Sequence, residues 1–473
     1  MKMFINGEWT DSSLSMPIVS PYSREVVDTV PVASLEQIEL ALGAAVHGAA
    51  AMGKLTAAER FRILIRAADL VAQELEDLAR TISLEEGKPI TESRAEAGRM
   101  PDMIRLCAFE GSQLRGEVLP IDAQAGVTGK LAFTLREPCG IVVAITPFNY
   151  PLLLVLHKVG PALAAGNAVI LKPAGQTPLV ALKLTRILIE AGIPENGIQC
   201  ITGKGSTMGD ALCSDPRVRK ISFTGSSEVG EKITQVAGIK RLSLELGSNS
   251  PLVVLSDADV DEASAATAVG GYVNAGQVCI STQRVLVARS IYADYLDALK
   301  PRVESLTVGD PLNETTKVSA MISEREAQRV ELWVGEALAD GARVLTGGQR
   351  SGAVFQPTVV ADVRPAMRIS CQELFGPAVA VTPVEGIDEA IAMANDSEFG
   401  LGAGVFTRDV SKALRFVRQV HSGTVQINSS SLWRADLMPY GGYKQSGIGK
   451  EGPRYAIEEM TELKTVVIHG LDS

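Results

Sequence analysis

Short apolar runs alternate with amphipathic stretches along most of this chain. Residues 141–145, 168–171, 198–201, 221–223 and 242–244 are strand-like runs, with helix-like segments between them. That alternation predicts a parallel sheet with crossover helices. Runs at 253–255, 285–288, 379–384 and 425–427 repeat the pattern and predict a second α/β unit. Residues 1–33 read as short strands and turns. Ser34 precedes a helix-like run from 35 to about 52, and Thr56-Ala-Ala-Glu59 is a capping-box pattern. Phe61, Leu64, Ile65, Ala68, Val71 and Leu75 then recur at helical spacing, and a further helix covers about 92–111. Residues 116–122 and 130–138, joined by a Gly-containing turn, predict a protruding β-hairpin.

Composition narrows the class. The 473 residues are 46% hydrophobic and 21% charged, which suits two or three folded domains. The net charge is −10 and no Lys/Arg run stands out, which excludes nucleic acid and anionic membrane as expected partners. The N-terminus has no signal-like apolar region, and the run 141–145 is too short to span a bilayer, so a cytoplasmic protein is expected. Six cysteines without a C-x-x-C pair, and only four histidines, predict neither a disulfide framework nor a metal site.

Three stretches carry candidate chemistry. Cys279 sits among small residues in Gly276-Gln-Val-Cys. Glu245-Leu-Gly-Ser-Asn precedes it, and Thr146-Pro-Phe-Asn-Tyr-Pro lies further upstream. A thiol, a carboxylate and an amide are the parts needed to attack a carbonyl, activate water and stabilise an oxyanion. A G-x-G-x-x-G fingerprint is absent, and Gly203-Lys-Gly-Ser-Thr-Met-Gly209 alone reads as a tight turn. Ser226, in Phe223-Thr-Gly-Ser-Ser, is placed to cap a helix whose free N–H groups could face a pyrophosphate; an ordinary N-cap is the plainer alternative.

On these motifs the chain resembles the aldehyde dehydrogenase superfamily, from Ile5-Asn-Gly-Glu-Trp to Pro439-Tyr-Gly-Gly-Tyr-Lys-Gln-Ser-Gly. The resemblance implies an α/β fold with three parts. Residues 1–118 and 138–246 would form a Rossmann-like cofactor domain, and 247–430 a catalytic α/β domain. Residues 119–137 and 454–473 would form a small β oligomerisation element, giving a homodimer or homotetramer. It also implies roles: Cys279 as nucleophile, its pKa lowered or a base lent to it, Asn149 as oxyanion donor and Glu245 as general base with a raised pKa. Thr146, Pro147, Phe148, Lys172, Gly175, Gly205, Gly225, Ser226, Leu246, Glu373 and Phe375 would line an NAD or NADP site. Gly175 stands where many NAD-preferring members carry Glu. A 2′-phosphate therefore meets no carboxylate there, and NADP is expected to be accepted, even preferred. Ser248 and Ile280 depart from the usual Gly and from the Cys or Thr of some members.

The substrate reading is a small hydroxylated or anionic aldehyde. Thr146-Pro-Phe-Asn-Tyr-Pro and Leu119-Pro-Ile-Asp-Ala look most like the lactaldehyde, succinic semialdehyde, phosphonate-aldehyde and non-phosphorylating glyceraldehyde-phosphate members. Arg105 and Arg284 are candidate anion partners, with Trp433 at the pocket mouth. The alternatives are a CoA-acylating semialdehyde dehydrogenase, which lacks the base, a catalytically silent binding relative, and a cysteine hydrolase, which would need a histidine partner.

Overall fold

The computed structural model describes residues 1–471. Its first sheet has eight strands. Five are parallel, and they are the five runs expected between 141 and 244, observed as Ile141–Ile145, Ala168–Lys172, Ile198–Cys200, Lys220–Thr224 and Arg241–Glu245. Numbered along the chain, they lie in the order third, second, first, fourth, fifth. The strand order thus reverses between Ile141–Ile145 and Lys220–Thr224, and that crevice is where doubly wound sheets take ligands. All five strands are buried or nearly so, as parallel sheets covered by helices on both faces require.

The second sheet has seven strands, six of them parallel, and takes up the remaining apolar runs. The chain leaves the first sheet at Glu245 and enters the second at Ser250, so four residues connect the two. Gly447–Ile448 returns to the first sheet and pairs antiparallel with Arg241–Glu245. The carboxyl end of the fifth parallel strand is thereby fastened from two directions.

A third sheet joins Val118–Leu119, Lys130–Pro138 and Thr461–His469. The last two pair antiparallel over their whole length, from Thr461 opposite Pro138 to His469 opposite Lys130. Two residues of the element expected at 454–473 lie outside the described residues. Leu131, Leu135, Leu463, Val467 and Ile468 remain exposed on these two strands.

Local signals explain the helix starts. Ser34 and Thr56 each close a capping box, satisfying donors that a helix N-terminus otherwise leaves free. The helix after Thr56 stops at Gln73, and Leu75 opens the next one. Leu75 therefore belongs to a different helix from Phe61 and Leu64, because the chain bends at Glu74, which is held by Arg186.

Candidate active site

Glu245 ends its parallel strand, and Asn149 lies in the loop that leaves Ile141–Ile145. Cys279 comes from the opposite side, in the turn before the strand Thr282–Ala288. The facing ends of the two sheets thus supply the groups. That turn is strained: Asn274, Ala275 and Gly276 take φ of 51°, 52° and 69° in succession. Gly276 has no substitute there, since a Cβ would stand 2.1 Å from the Gly376 carbonyl oxygen.

A buried polar clamp ties the cysteine turn to the Asn149 loop. Lys88 Nζ donates to the Asn149 carbonyl at 2.6 Å, and Asn274 Nδ2 donates to the same oxygen at 3.0 Å. Asn274 is itself held by Glu92 through its backbone N–H at 2.8 Å and by Glu86 through its side chain at 2.6 Å. Lys88 also pairs with Glu86 and Glu96. The side-chain amide of Asn149 donates one hydrogen to the Gln277 carbonyl at 2.8 Å. An amide carries two, so the other remains for a ligand.

Cys279 Sγ lies 3.0 Å from the Tyr440 hydroxyl. Burial pushes the thiol up to about 12, against the pull of the Tyr440 hydrogen bond. Of the two expectations, a lowered thiol pKa or a base lent to it, the first is not met. Glu245 is buried, and its Oε2 has no hydrogen-bond partner among the described residues. Burial and the nearby charge of Glu451 hold its carboxyl well above the usual range. Glu451 bonds Lys158 at 2.9 Å and Arg434 at 3.1 Å. Burial alone would raise Glu451 too, but those two cations outweigh it and keep the group well below the usual range. Tight packing brings the carboxylate in: a Cβ on Gly441 would approach Glu245 Oε1 to 2.8 Å.

A cavity of about 610 Å³ opens on Cys279. Arg99, Tyr150, Ser430, Trp433, Arg434 and Tyr440 are among its walls. Trp433 is where the sequence reading puts it. The two expected arginines are not. Arg105 is on the outer face of its helix, paired with Asp69 and Asp102. It lies six residues beyond Arg99, and at 100° per residue that turns it away from the cavity. Arg284 is buried in Thr282–Ala288 and donates to the Met393 and Ala394 carbonyls, the free end of the helix Ile387–Asn395. Its function is to cap that helix. The arginines of the cavity are Arg99, paired with Asp436, and Arg434, whose Nε has no partner among the described residues.

The residues expected to line a cofactor site lie mostly at or just beyond the carboxyl ends of the parallel strands. Thr146 is buried with its hydroxyl unpartnered among the described residues, and Phe148 meets Phe375 edge-on at 6.0 Å. Lys172 Nζ donates to the Pro173 carbonyl at 3.1 Å, and burial pulls its pKa down to about 8. A Cβ on Gly205 would lie 3.8 Å from that nitrogen. Ser226 caps the helix Ser227–Val236 by accepting from Val229 N–H, with Gly225 preceding it. Leu246 follows Glu245, and Glu373 accepts from Ser248 N–H at 2.7 Å. Burial lifts Glu373 to about 7. A Cβ on Gly175 would make ordinary contact, 3.6 Å from the Gly203 carbonyl oxygen and Met16 Cε.

The aldehyde dehydrogenase family profile matches residues 9–466. The chain belongs to the aldehyde dehydrogenase family. It is 43% identical to a 3-sulfolactaldehyde dehydrogenase of Priestia megaterium over 99% of this chain and 98% of that one. It is 40% identical to a lactaldehyde dehydrogenase of Methanocaldococcus jannaschii, over 98% and 100%. A solved NADP-dependent glyceraldehyde-3-phosphate dehydrogenase of Bacillus halodurans, complexed with NADP, superposes with a TM-score of 0.97 at 35% identity, covering 99% of each chain. As in other family members, the first sheet is Rossmann-like and the enzyme is an oxidoreductase.

For this aldehyde dehydrogenase, sequence reading missed Arg99, Arg434, Tyr440, Lys158 and Glu451. Tyr440 lies inside a quoted motif, Pro439-Tyr-Gly-Gly, so its hydroxyl was a readable signal. The other four carry no local pattern. Ser248 places its hydroxyl 3.0 Å from that of Ser250, and the strand register shifts just beyond, between Ser250 and Pro251.

Proposed function

We propose that this chain oxidises a small hydroxylated or anionic aldehyde to the free acid with NAD or NADP. The observation that carries the proposal is one cavity lined by a thiol and two arginines, with the buried carboxyl of Glu245, whose Oε2 has no partner among the described residues, close enough to act on that thiol. Relatives named for sulfonated, hydroxylated and phosphorylated three-carbon aldehydes support the same substrate class.

The cofactor site fits a dinucleotide by its own chemistry. Thr146 Oγ1 is a donor without a partner among the described residues, Lys172 Nζ gives one of its three hydrogens to the Pro173 carbonyl, Ser227–Val236 offers a helix N-terminus, and Glu373 offers a carboxylate. Pro147, Phe148, Phe375, Gly205, Gly225 and Leu246 complete the walls. When bound, the nicotinamide supplies a hydride acceptor.

The protein's own residues do the rest. Cys279 Sγ adds to the aldehyde carbon, and the spare Asn149 amide hydrogen stabilises the oxyanion. Loss of one such donor costs about 10²–10³ in rate. After oxidation the acyl group remains on sulfur as a thioester. Glu245 takes a proton from water, which releases the acid; a raised pKa makes it a stronger base once ionised. Retention of Glu245 favours hydrolysis over transfer to CoA. Arg434 and Arg99 hold the anionic end, each sharing charge with one carboxylate but keeping donors free.

We further propose a cytoplasmic homodimer or homotetramer, divided at 1–118 with 138–246, 247–430, and 119–137 with 454–473. The exposed apolar strand faces at 130–138 and 461–469 support the oligomer. Among the described residues no helix is long and apolar enough to cross a membrane.

The test is initial rates at 340 nm with three-carbon aldehydes bearing sulfonate, phosphate or hydroxyl alone, and with an aliphatic aldehyde. The expected result is a kcat/KM for an anionic or hydroxylated substrate at least tenfold above the aliphatic one. An equal or higher value for the aliphatic aldehyde would overturn the substrate class.

A further inference from the structure

Among the described residues the sulfur of Cys279 makes one side-chain hydrogen bond, to the Tyr440 hydroxyl at 3.0 Å. Val278, Ile280 and Leu401 cluster with the Tyr440 ring beside it, and the charged groups that act on it are Glu245 and Glu373, which push its pKa up, and Arg434, which pulls it down. A thiolate in such surroundings has lost water and gained little in return, so any donor aimed at it counts heavily.

Tyr440 is fixed in that aim. Its backbone N–H donates to the Glu451 carbonyl at 3.1 Å, and Glu451 N–H returns a bond to the Tyr440 carbonyl at 2.7 Å. The ring is buried, and the Arg434 guanidinium lies 3.8 Å from its centre. Arg434 is in turn held by Glu451 at 3.1 Å. One residue, Glu451, thus positions the phenol through the backbone and the cation through its side chain. A cation over the ring face draws electron density from the phenol and strengthens its O–H as a donor. Burial also keeps that phenol protonated at neutral pH.

We propose that Tyr440 is a further catalytic residue, whose phenol O–H, backed by Arg434, donates to the Cys279 thiolate and sustains the nucleophile. In the thiol form S–H donates to the phenol oxygen. On ionisation the sulfur proton leaves to solvent, the phenol keeps its own proton, and the hydroxyl rotates to donate to sulfur. Attack on the aldehyde converts the thiolate to a thioether, and the bond weakens as the negative charge moves to the oxyanion. Hydrolysis of the thioester breaks the C–S bond and returns the electron pair to the same sulfur, so Tyr440 assists attack and also receives the departing thiolate. The inference rests on Cys279 being the nucleophile.

The test compares Tyr440→Phe with the natural chain, using iodoacetamide and no aldehyde. The alkylation rate at Cys279, located by peptide mass, is followed against pH. A hydrogen bond to a charged partner corresponds to about one to two units of thiol pKa. Tyr440→Phe is expected to raise the thiol pKa by about that much. Burial already holds the thiol high, so both proteins react below their midpoints across the accessible pH range, and the readout is the ratio of their alkylation rates at each pH. The variant should be slower by about threefold per unit, because a more basic thiolate is intrinsically more reactive and offsets part of the lost ionisation. Water admitted by loosened packing would favour the charged thiolate and change the rate in the other direction. In single turnovers the variant should slow cofactor reduction. Equal alkylation rates throughout in a folded variant, judged by an unaltered circular dichroism spectrum, would overturn the role of Tyr440. Failure of the underlying reading looks different: Cys279→Ala would still oxidise aldehyde.

Discussion

Glu451 takes both buried cations, Lys158 and Arg434, and leaves Glu245 with an oxygen that has no partner among the described residues. Two carboxyls sharing one low-dielectric site cannot both ionise cheaply, and the cations decide which does. Glu451 carries the charge and Glu245 keeps its proton to higher pH. That division predicts how thioester hydrolysis depends on pH: the rate rises as Glu245 ionises. Glu451→Gln removes the like charge and turns Lys158 and Arg434 toward Glu245. The acidic limb of kcat should then move to lower pH, in a protein destabilised by about 3–5 kcal/mol from its unpaired buried cations. A pH–rate profile under hydrolysis-limited conditions checks this. A limb that stays in place would assign the titration to another group.

The absence of a side chain at Gly175 makes cofactor choice adjustable. Its φ is not in the left-handed region, and the nearest atoms to an added Cβ are at 3.6 Å, so a longer side chain enters without strain. Gly175→Glu should raise the KM for NADP by tenfold or more through repulsion of the 2′-phosphate, and change that for NAD much less. Equal effects on both cofactors would mean that the position does not face the phosphate.

The clamp beneath the site has a pH signature in stability. Burial, reinforced by Glu96 and opposed by Lys88, raises Glu86 from 4.5 to about 8. The folded chain therefore keeps a proton that the unfolded chain releases above pH 4.5. This contribution is full below about pH 4.5 and is lost as pH rises through about 8, at up to about 1.4 kcal/mol per pH unit for one proton. Glu86→Gln keeps the oxygen that accepts from Asn274 and has nothing to titrate. Its Tm should fall less steeply between those limits than that of the natural chain. Parallel Tm curves for the two would remove Glu86 as the source.

What could be read from the sequence follows from the range of the forces involved. The first two parallel strands stand out as continuous apolar runs, and the other three as short runs whose apolar residues flank Gln199, Ser222 and Ser243. The Thr56 capping box is a contact across three residues. Cys279, Glu245 and Asn149 sit where strands meet loops, and there the family motifs are dense. The substrate arginines failed for a geometric reason. Arg105 is six residues from Arg99 on one helix, and only the angle between them decides which faces the cavity. Arg284 is in a buried strand, where a charge looked functional but instead satisfies helix-end carbonyls. Arg434, Tyr440 and Glu451 come from the closing loops and meet Cys279, Lys158 and Glu245 across long chain separations. No periodicity reports a contact of that kind. The Cys279 pKa failed similarly, since burial is a property of the assembled site.

The central claim is that Cys279 carries the acyl group and Glu245 removes it. Rapid mixing of Glu245→Gln with aldehyde and NADP, followed at 340 nm and by intact mass, tests it directly. The account predicts one equivalent of reduced cofactor per site, an acyl adduct on Cys279, and steady turnover reduced by about 10²–10⁴. Full-rate turnover, or a burst with no adduct on Cys279, would contradict it.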